Sequence, residues 1–302
     1  MKKVVITGGS GFIGSSCIRP LLSLGFEVHN FDLSPFHIED PGYFYHKVNL
    51  LDHSSILNIL KEIKASYLLH MAWYTEHGKF WNSTKNIIWT ATSLQLVESF
   101  YDLGGIRALV AGTCAEYDWS NCNPLESKSS PLSPQNLYGS CKKALYEVLR
   151  SLALSLNKQL AWGRIFHLYG PGEPSTRLFP YVIDQLLQKK ECPTTHGRQW
   201  RDFIHVNDVG RVFAHVLDSN FVGPFNVSSG TPIQLIDVVK EIAKMTGGLE
   251  LIKFGAIEAR NQPDSILADI SDLKNMKFKF KYPLNNGIYD YIQVRKKELN
   301  LN

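Results

Sequence analysis

Three side chains near the middle of this 302-residue chain suit proton transfer. Tyr138 and Lys142 stand four residues apart, so on a helix they share one face. A free phenol loses its proton only near pH ~10, whereas a general acid or base works best closer to the operating pH. A neighbouring ammonium favours phenolate and so lowers that value, which is the help expected of Lys142. Thr113 closes an apolar run, Ala108–Thr113, and its hydroxyl can hold the oxygen that gains or loses the proton.

A second cluster lies at the start of the chain. Gly8, Gly11 and Gly14 are spaced G-x-x-G-x-x-G, with Phe12 and Ile13 between the last two, where a strand-like run gives way to a helical one. Glycines there permit a tight turn and close approach of backbone to a pyrophosphate, and the helix start offers free N–H groups and a favourable dipole. A dinucleotide held at this turn, with a proton relay at Thr113, Tyr138 and Lys142, points to a nicotinamide-dependent oxidoreductase. Lys142 is expected to reach the nicotinamide ribose as well. Asp32 ends the next strand-like run, where a carboxylate accepts both ribose hydroxyls and repels a 2′-phosphate. With no arginine close behind it, Asp32 favours NAD(H), and NADP(H) stays open.

The elements that must position these groups alternate. Strands are expected at Val4–Thr7, Phe26–Phe31, Tyr45–Asn49, Tyr67–Met71, Ala108–Thr113 and Leu160–Phe166. Helices are expected at Phe12–Leu24, Ser54–Ile63 (with Asp52 as its cap), Asn82–Tyr101 and Leu137–Leu156. This alternation implies an α/β fold, a Rossmann-type doubly wound parallel sheet covered on both faces. Asn121–Gln135 reads as a Pro/Ser-rich loop. After Tyr169-Gly170-Pro171-Gly172 the pattern loosens, with strands at Phe203–Val206 and Pro224–Val227 and a helix at Gln234–Met245. The organisation expected is a dinucleotide-binding domain over 1–166, to which part of about 200–230 returns, and a smaller α/β substrate-binding lobe over 167–302.

Composition narrows the function classes. The chain is 44% hydrophobic, enough for a sizeable core, and its net charge of +4 is too small and scattered to suggest nucleic acid. No apolar stretch approaches the roughly 20 residues needed to span a bilayer, and the chain enters a strand-like run at once, so neither a membrane nor a cleavable leader is expected. Cys17, Cys114, Cys122, Cys141 and Cys192 form no CxxC pair, which argues against a metal site or a disulfide framework and for a reducing, cytoplasmic setting. Cys114 and Cys141, beside the candidate catalytic residues, read as small packing side chains.

These residues together resemble the extended short-chain dehydrogenase/reductases, the NAD-dependent epimerase/dehydratase family of nucleotide-sugar enzymes, over nearly the whole chain. Thr7–Gly14 is similar to the family's TGxxGxxG, His70-Met71-Ala72-Trp73 to its HxAA segment, and Ala111-Gly112-Thr113 with Tyr117 to its S-S-S/T…Y strand. Arg164 to Gly172 resembles R-x-x-N-x-Y-G-P-G, and Arg201 to Val209 resembles RDFIHVxDV. The resemblance implies Tyr138 as acid/base, Lys142 as its helper and Thr113 as hydroxyl partner. It places Asn49 and Leu50 near adenine, with Asn where Asp is usual, and Met71 and Ala72 beside the cofactor. It gives Arg201 and Arg260 to the substrate diphosphate, which suits a planar donor fork; the bland alternative is an ion pair with Asp202 or Glu258. Trp73, His77, His167 and Arg177 are expected in the sugar pocket, His167 standing where Asn is usual and Trp73 where a small residue is. Trp89, in place of a common glycine, reads as packing.

A 4,6-dehydratase of this family carries Asp-Glu directly after the catalytic Thr; here Cys114 and Ala115 follow, and Glu116 comes one place late. Segments Gly197–Ile204 and Phe254–Glu258 resemble the CDP-abequose synthase group, which implies reduction at C4 of a nucleotide-linked 4-keto-6-deoxyhexose, CDP-linked by preference, in deoxysugar biosynthesis. A C4 epimerase is the alternative, and a non-catalytic nucleotide-binding protein the reading from another class. The resemblance also implies a homodimer through the two long helices, where Leu145, Leu149 and Leu152 form a stripe that suits either an interface or the core.

Overall fold

The computed structural model describes residues 2–120, 124–259 and 263–301; Cys122, Arg260 and the start of the Asn121–Gln135 loop lie outside these. Six strands alternate with helices through the first half: β1 (Lys2–Thr7), β2 (Phe26–Asp32), β3 (Tyr43–Lys47), β4 (Tyr67–His70), β5 (Arg107–Thr113) and β6 (Gln159–Ile165), with α1 (Phe12–Ser23), α2 (His53–Ile63), α3 (Lys85–Asp102) and α4 (Leu137–Ser155). The second half adds β7 (His167–Tyr169), α5 (Leu178–Leu187), β8 (Cys192–Thr194), β9 (Trp200–His205), α6 (Val206–Asp218), β10 (Gly223–Val227), β11 (Pro232–Gln234), α7 (Leu235–Thr246), β12 (Ile252–Phe254), β13 (Ser265–Ile266), α8 (Ser271–Asn275) and α9 (Leu284–Glu298).

The main sheet has seven strands in the order β10-β6-β5-β4-β1-β2-β3, every pair parallel. Its order reverses between β1 and β4, the switch point outside which open α/β sheets bind ligands. Thr7 pairs in register with both Phe31 and His70, so the turn after β1 and the residues after β4 emerge level with each other. Both faces are covered. Val4, Ile6, Leu109 and Ala161 pack with α1 and α6 on one side, and Val5, Leu68, Val110 and Trp162 pack with α2, α3 and α4 on the other. β5 is buried along its whole length, as its continuous apolar run requires.

Most element boundaries shift by one to three residues from the sequence expectation, and two of the shifts have a visible cause. The third strand ends at Lys47, because Asn49 turns its side chain back to accept from the Leu51 N–H at 3.1 Å. The long helix begins at Lys85, because the Asn86 amide donates to the carbonyls of Phe80 (2.6 Å) and Ser83 (2.8 Å) and closes a tight turn ahead of it. Of the 200–230 segment, α6 and β10 return to the main sheet, whereas β9 is the centre of a second sheet with β7, β11 and β13. A third core, with Phe179, Val182, Ile242 and Ile292, fills the space between α5, α7 and α9. Leu145 and Leu149 are fully buried in the main core and Leu152 packs beside them, so that stripe is core. Among the described residues no helix is long and apolar enough to cross a membrane.

Candidate active site

The turn after β1 is built for close approach. Gly8 has φ +70°, and a Cβ there would lie 2.8 Å from the Ala72 backbone; one at Gly14 would lie 2.0 Å from the Gly8 carbonyl. The Thr7 hydroxyl ties the two strand ends together, 2.7 Å from His70 Nδ1 and accepting from the Ala72 N–H at 3.3 Å. Burial drives His70 down to about 3, so it serves here as a neutral bridge, its Nε2 on the Ser93 hydroxyl at 2.8 Å. Gly11 caps α1 with no side-chain hydrogen bond, which leaves the first N–H groups of that helix, at Phe12, Ile13 and Gly14, without a capping acceptor. Asp32 stands at the end of β2, accepting from the Ser10 N–H at 3.1 Å and the Ser34 N–H at 3.3 Å. Leu50 is buried, Met71 half-buried and Asn49 exposed. These residues fit a nicotinamide dinucleotide: helix amides for its pyrophosphate and the Asp32 carboxylate for a ribose.

Thr113 ends β5 and begins a short turn as its cap. Its hydroxyl accepts from the Ala115 N–H at 3.2 Å, and its own N–H donates to Glu116 Oε1 at 2.8 Å. The Asn136 side chain starts α4 by accepting from the Gly139 N–H at 2.8 Å, which sets Tyr138 in the first helical turn. There the Thr113 side chain lies near enough to act on the Tyr138 phenol. The Tyr138 ring is walled by Trp73, Phe80 and Trp81, with centroids 6.4, 4.9 and 5.9 Å away. Burial pushes its phenol well above the ordinary value, against the opposing pull of Thr113 and, more weakly, Arg177.

Lys142 departs from expectation. It is buried, its ammonium donates to the Ala111 carbonyl at 2.8 Å, and it lies 3.7 Å from the centroid of the Trp73 ring. Burial pulls it down to about 7, with Glu116 opposing. The lysine was expected to draw the tyrosine downward; instead desolvation dominates both groups and shifts each toward its neutral form.

Several residues expected on the substrate side gather around Thr113. Burial, then Arg201 and Arg177, bring His167 down to about 3, and its buried Nδ1 has no hydrogen-bond partner. Cys114, pushed up to about 12 by burial, lies within the field of Arg201 and is no thiolate. Arg201 is itself buried, with Nη1 donating to the Trp200 carbonyl at 2.7 Å. Thr113, Cys114, Tyr138, His167, Arg177 and Arg201 thus form one electrostatic neighbourhood. Trp73 joins it through its ring, held by an Nε1–H bond to Asn86 at 2.8 Å, while Trp89 packs behind it at 6.4 Å. His77 is exposed on the loop after β4 and is not among the principal groups acting on Tyr138 or His167. Asp202 carries instead the N–H groups of Ser229 (3.0 Å) and Gly230 (2.9 Å).

Two acidic groups take places that the sequence reading did not give them. Glu116 is fully buried, accepting from Trp162 Nε1 at 3.0 Å and Arg164 Nε at 2.7 Å as well as from Thr113. Arg164 also donates to Tyr117 at 3.3 Å, whose hydroxyl in turn donates to Asn226 at 2.6 Å. Glu173 is buried after the Gly170–Gly172 turn, with Oε1 3.6 Å from Arg177 Nε. The spacing of Glu116 from Thr113, that of a capping box, was the available signal for the first; nothing local announced the second.

Residues 4–228 match the NAD dependent epimerase/dehydratase family. This chain belongs to that family. Its members are NAD-dependent nucleotide-sugar epimerases, dehydratases and reductases, so the protein is an enzyme and its cofactor is NAD. Among relatives in this family, the chain is 26% identical to the dTDP-D-glucose 4,6-dehydratase of Dictyostelium discoideum, over 82% of its own length but only 62% of that protein's. It is 25% identical to the UDP-glucose 4-epimerase of Bacillus subtilis, over 94% of this chain and 93% of that one. It is 33% identical to the CDP-abequose synthase of Salmonella typhimurium, over 43% and 46%. The fold is that of the family too: the dTDP-glucose 4,6-dehydratase of Bacillus anthracis, solved in complex with NAD, superposes with a TM-score of 0.86 at 21% identity, covering 99% of this chain and 98% of that one.

Proposed function

We propose that this member of the family is a 4-ketoreductase, acting on a nucleotide-linked 4-keto-6-deoxyhexose, CDP-linked by preference, in deoxysugar biosynthesis. The observation that carries this reading is the placement of Tyr138 in an aromatic pocket beside Thr113. Its burial against Trp73, Phe80 and Trp81 favours the protonated phenol, and reduction of a ketone calls for a proton donor at the oxygen. The partial match to CDP-abequose synthase supports the substrate class.

The turn after β1 and Asp32 would hold NADH, which would supply the hydride to the carbonyl carbon. Tyr138 donates its proton to the oxygen as charge builds on it, and the Thr113 hydroxyl hydrogen-bonds the same oxygen. Arg201 holds the diphosphate end, and Arg177, in the sugar pocket, sets the sugar against Tyr138; His167, neutral, offers an uncommitted Nδ1 to a sugar hydroxyl. Elimination has no acid of its own here: Cys114 stays a thiol, and the Glu116 carboxylate is committed to Thr113, Trp162 and Arg164. Ile87, Ile88 and Val148 remain exposed on α3 and α4, which supports a homodimer built on these helices.

A C4 epimerase is the second reading, supported by the nearly end-to-end match to the Bacillus subtilis enzyme. The test follows NADH, then NADPH, by absorbance with purified protein and CDP-, dTDP-, GDP- and UDP-linked 4-keto-6-deoxyhexoses. Stoichiometric oxidation with one of them is expected and names the nucleotide. No oxidation with any of them sinks the reductase, and NAD released on denaturation would then support the epimerase.

A further inference from the structure

A groove of about 750 Å³ runs along the outer side of the main sheet, away from Thr113 and Tyr138. Its floor is one face of α1, with Phe12, Ser15, Arg19 and Ser23 at successive turns, and the facing side of α6, with Asn207, Arg211 and His215. A strap of alternating lysines and aromatics, Lys277-Phe278-Lys279-Phe280-Lys281-Tyr282, forms the other wall. Phe278 and Phe280 pack against the main core and fix the strap, and the Lys281 and Tyr282 N–H groups are held by the buried Asp208 carboxylate at 3.0 and 2.9 Å.

Arg19, Arg211, Lys277, Lys279 and Lys281 line this groove, and no carboxylate does. Arg211 has Asp208 as partner at 2.5 Å, but that carboxylate lies beneath the strap. Arg19 and the three lysines have no acidic partner among the described residues. Four uncompensated cations converging from two elements on one concavity, in a chain of net charge +4, make a strong local positive potential. Phe12, Phe36 and Tyr282 also line it, with Tyr282 stacked on His205 at 4.5 Å and so fixed in place. The volume is that of a small-molecule site, and its concavity suits a compact ligand rather than a membrane or a duplex.

We propose that this groove binds a nucleoside polyphosphate, its phosphates held by Arg19 and the strap lysines and its base laid against the aromatic walls. The groove borders the dinucleotide turn at Phe12, but Gly8, Gly11, Gly14, Asp32 and Leu50 are not in its lining, and it does not depend on which nucleotide sugar the enzyme uses.

The test titrates a fluorescent ATP analogue into the full-length protein by anisotropy, with saturating NAD⁺ and CDP present to fill the other sites. Saturable binding is expected, weakened at least ~10-fold by Arg19→Glu and by Lys279→Glu/Lys281→Glu, and reduced as salt rises. Unlabelled ATP should displace the probe at lower concentration than inorganic pyrophosphate. All these lysines are exposed, so the variants should fold, and unchanged thermal unfolding checks this. No saturable binding under these conditions, or binding indifferent to the charge reversals, overturns the proposal. Pyrophosphate competing as well as ATP overturns the role of the aromatic walls.

Discussion

The ammonium of Lys142 rests on the face of Trp73, 3.7 Å from the ring centroid. A desolvated contact of this kind is worth about 2 kcal/mol, and it favours the charged amine against a burial that pulls the group down to about 7. Trp73 also walls Tyr138, so one bulky residue shapes both halves of the proton relay.

Trp73→Ala is therefore expected to lower kcat at neutral pH by roughly 10- to 30-fold, the rate equivalent of losing that contact. Trp73→Phe keeps a ring over the amine and should stay within about threefold of the parent. Steady-state kinetics at pH 7 decide the matter; full activity in the alanine variant removes any role for the ring.

Tyr138→Phe tests the relay itself. Loss of a positioned general acid should lower turnover by about 10²- to 10⁴-fold. The affinity for NADH, measured by fluorescence titration, should change little, because Tyr138 sits beside Thr113 at the end of β5 and not at the turn after β1. Thr113→Val should fall similarly and Thr113→Ser should recover most of the rate. A Tyr138→Phe enzyme that turns over normally contradicts the assignment.

Much of this candidate site is proposed from the sequence alone because its signals are local. The glycine turn, the Asp32 that follows it and the four-residue spacing of Tyr138 and Lys142 each depend on one element and its cap. What could not be read depends on contacts between distant elements. The Phe203–Val206 run suggested a strand, but the pairing of β9 with β7, β11 and β13, which buries Arg201 beside His167, rests on register across the second half. The direction of the Tyr138 and Lys142 shifts was missed for a related reason. Spacing shows that two groups are neighbours, whereas desolvation depends on Trp73, Phe80 and Trp81 closing over them.

The buried Glu116–Arg164 pair gives a stability prediction. Both side chains are essentially inaccessible, and the carboxylate also accepts from Thr113 and Trp162. Removing one partner of such a pair leaves an uncompensated buried charge and is expected to cost about 3–5 kcal/mol. Glu116→Gln should show this in its urea midpoint, and Glu116→Gln/Arg164→Met should recover part of it. A Glu116→Gln protein as stable as its parent would mean that the network relaxes freely.

Glu173 gives a pH-dependent counterpart. Its carboxyl is buried, Oε2 has no hydrogen-bond partner, and burial raises it to about 7 against the opposing effects of Arg177 and the nearby Gly170 backbone. An acid whose folded value lies above its unfolded one binds the extra proton in the native state between those values. Its effect on stability is therefore neutral below about pH 4.5 and turns unfavourable as pH rises toward 7, levelling off above that, by on the order of 3 kcal/mol. Glu173→Gln carries no such titration. The difference in unfolding free energy, variant minus parent, should thus become more positive by that amount between pH 5 and pH 8, whatever other groups titrate in both proteins. Urea unfolding at the two pH values measures it, and a difference that does not change with pH would show that Glu173 ionises in the fold as readily as in the unfolded chain.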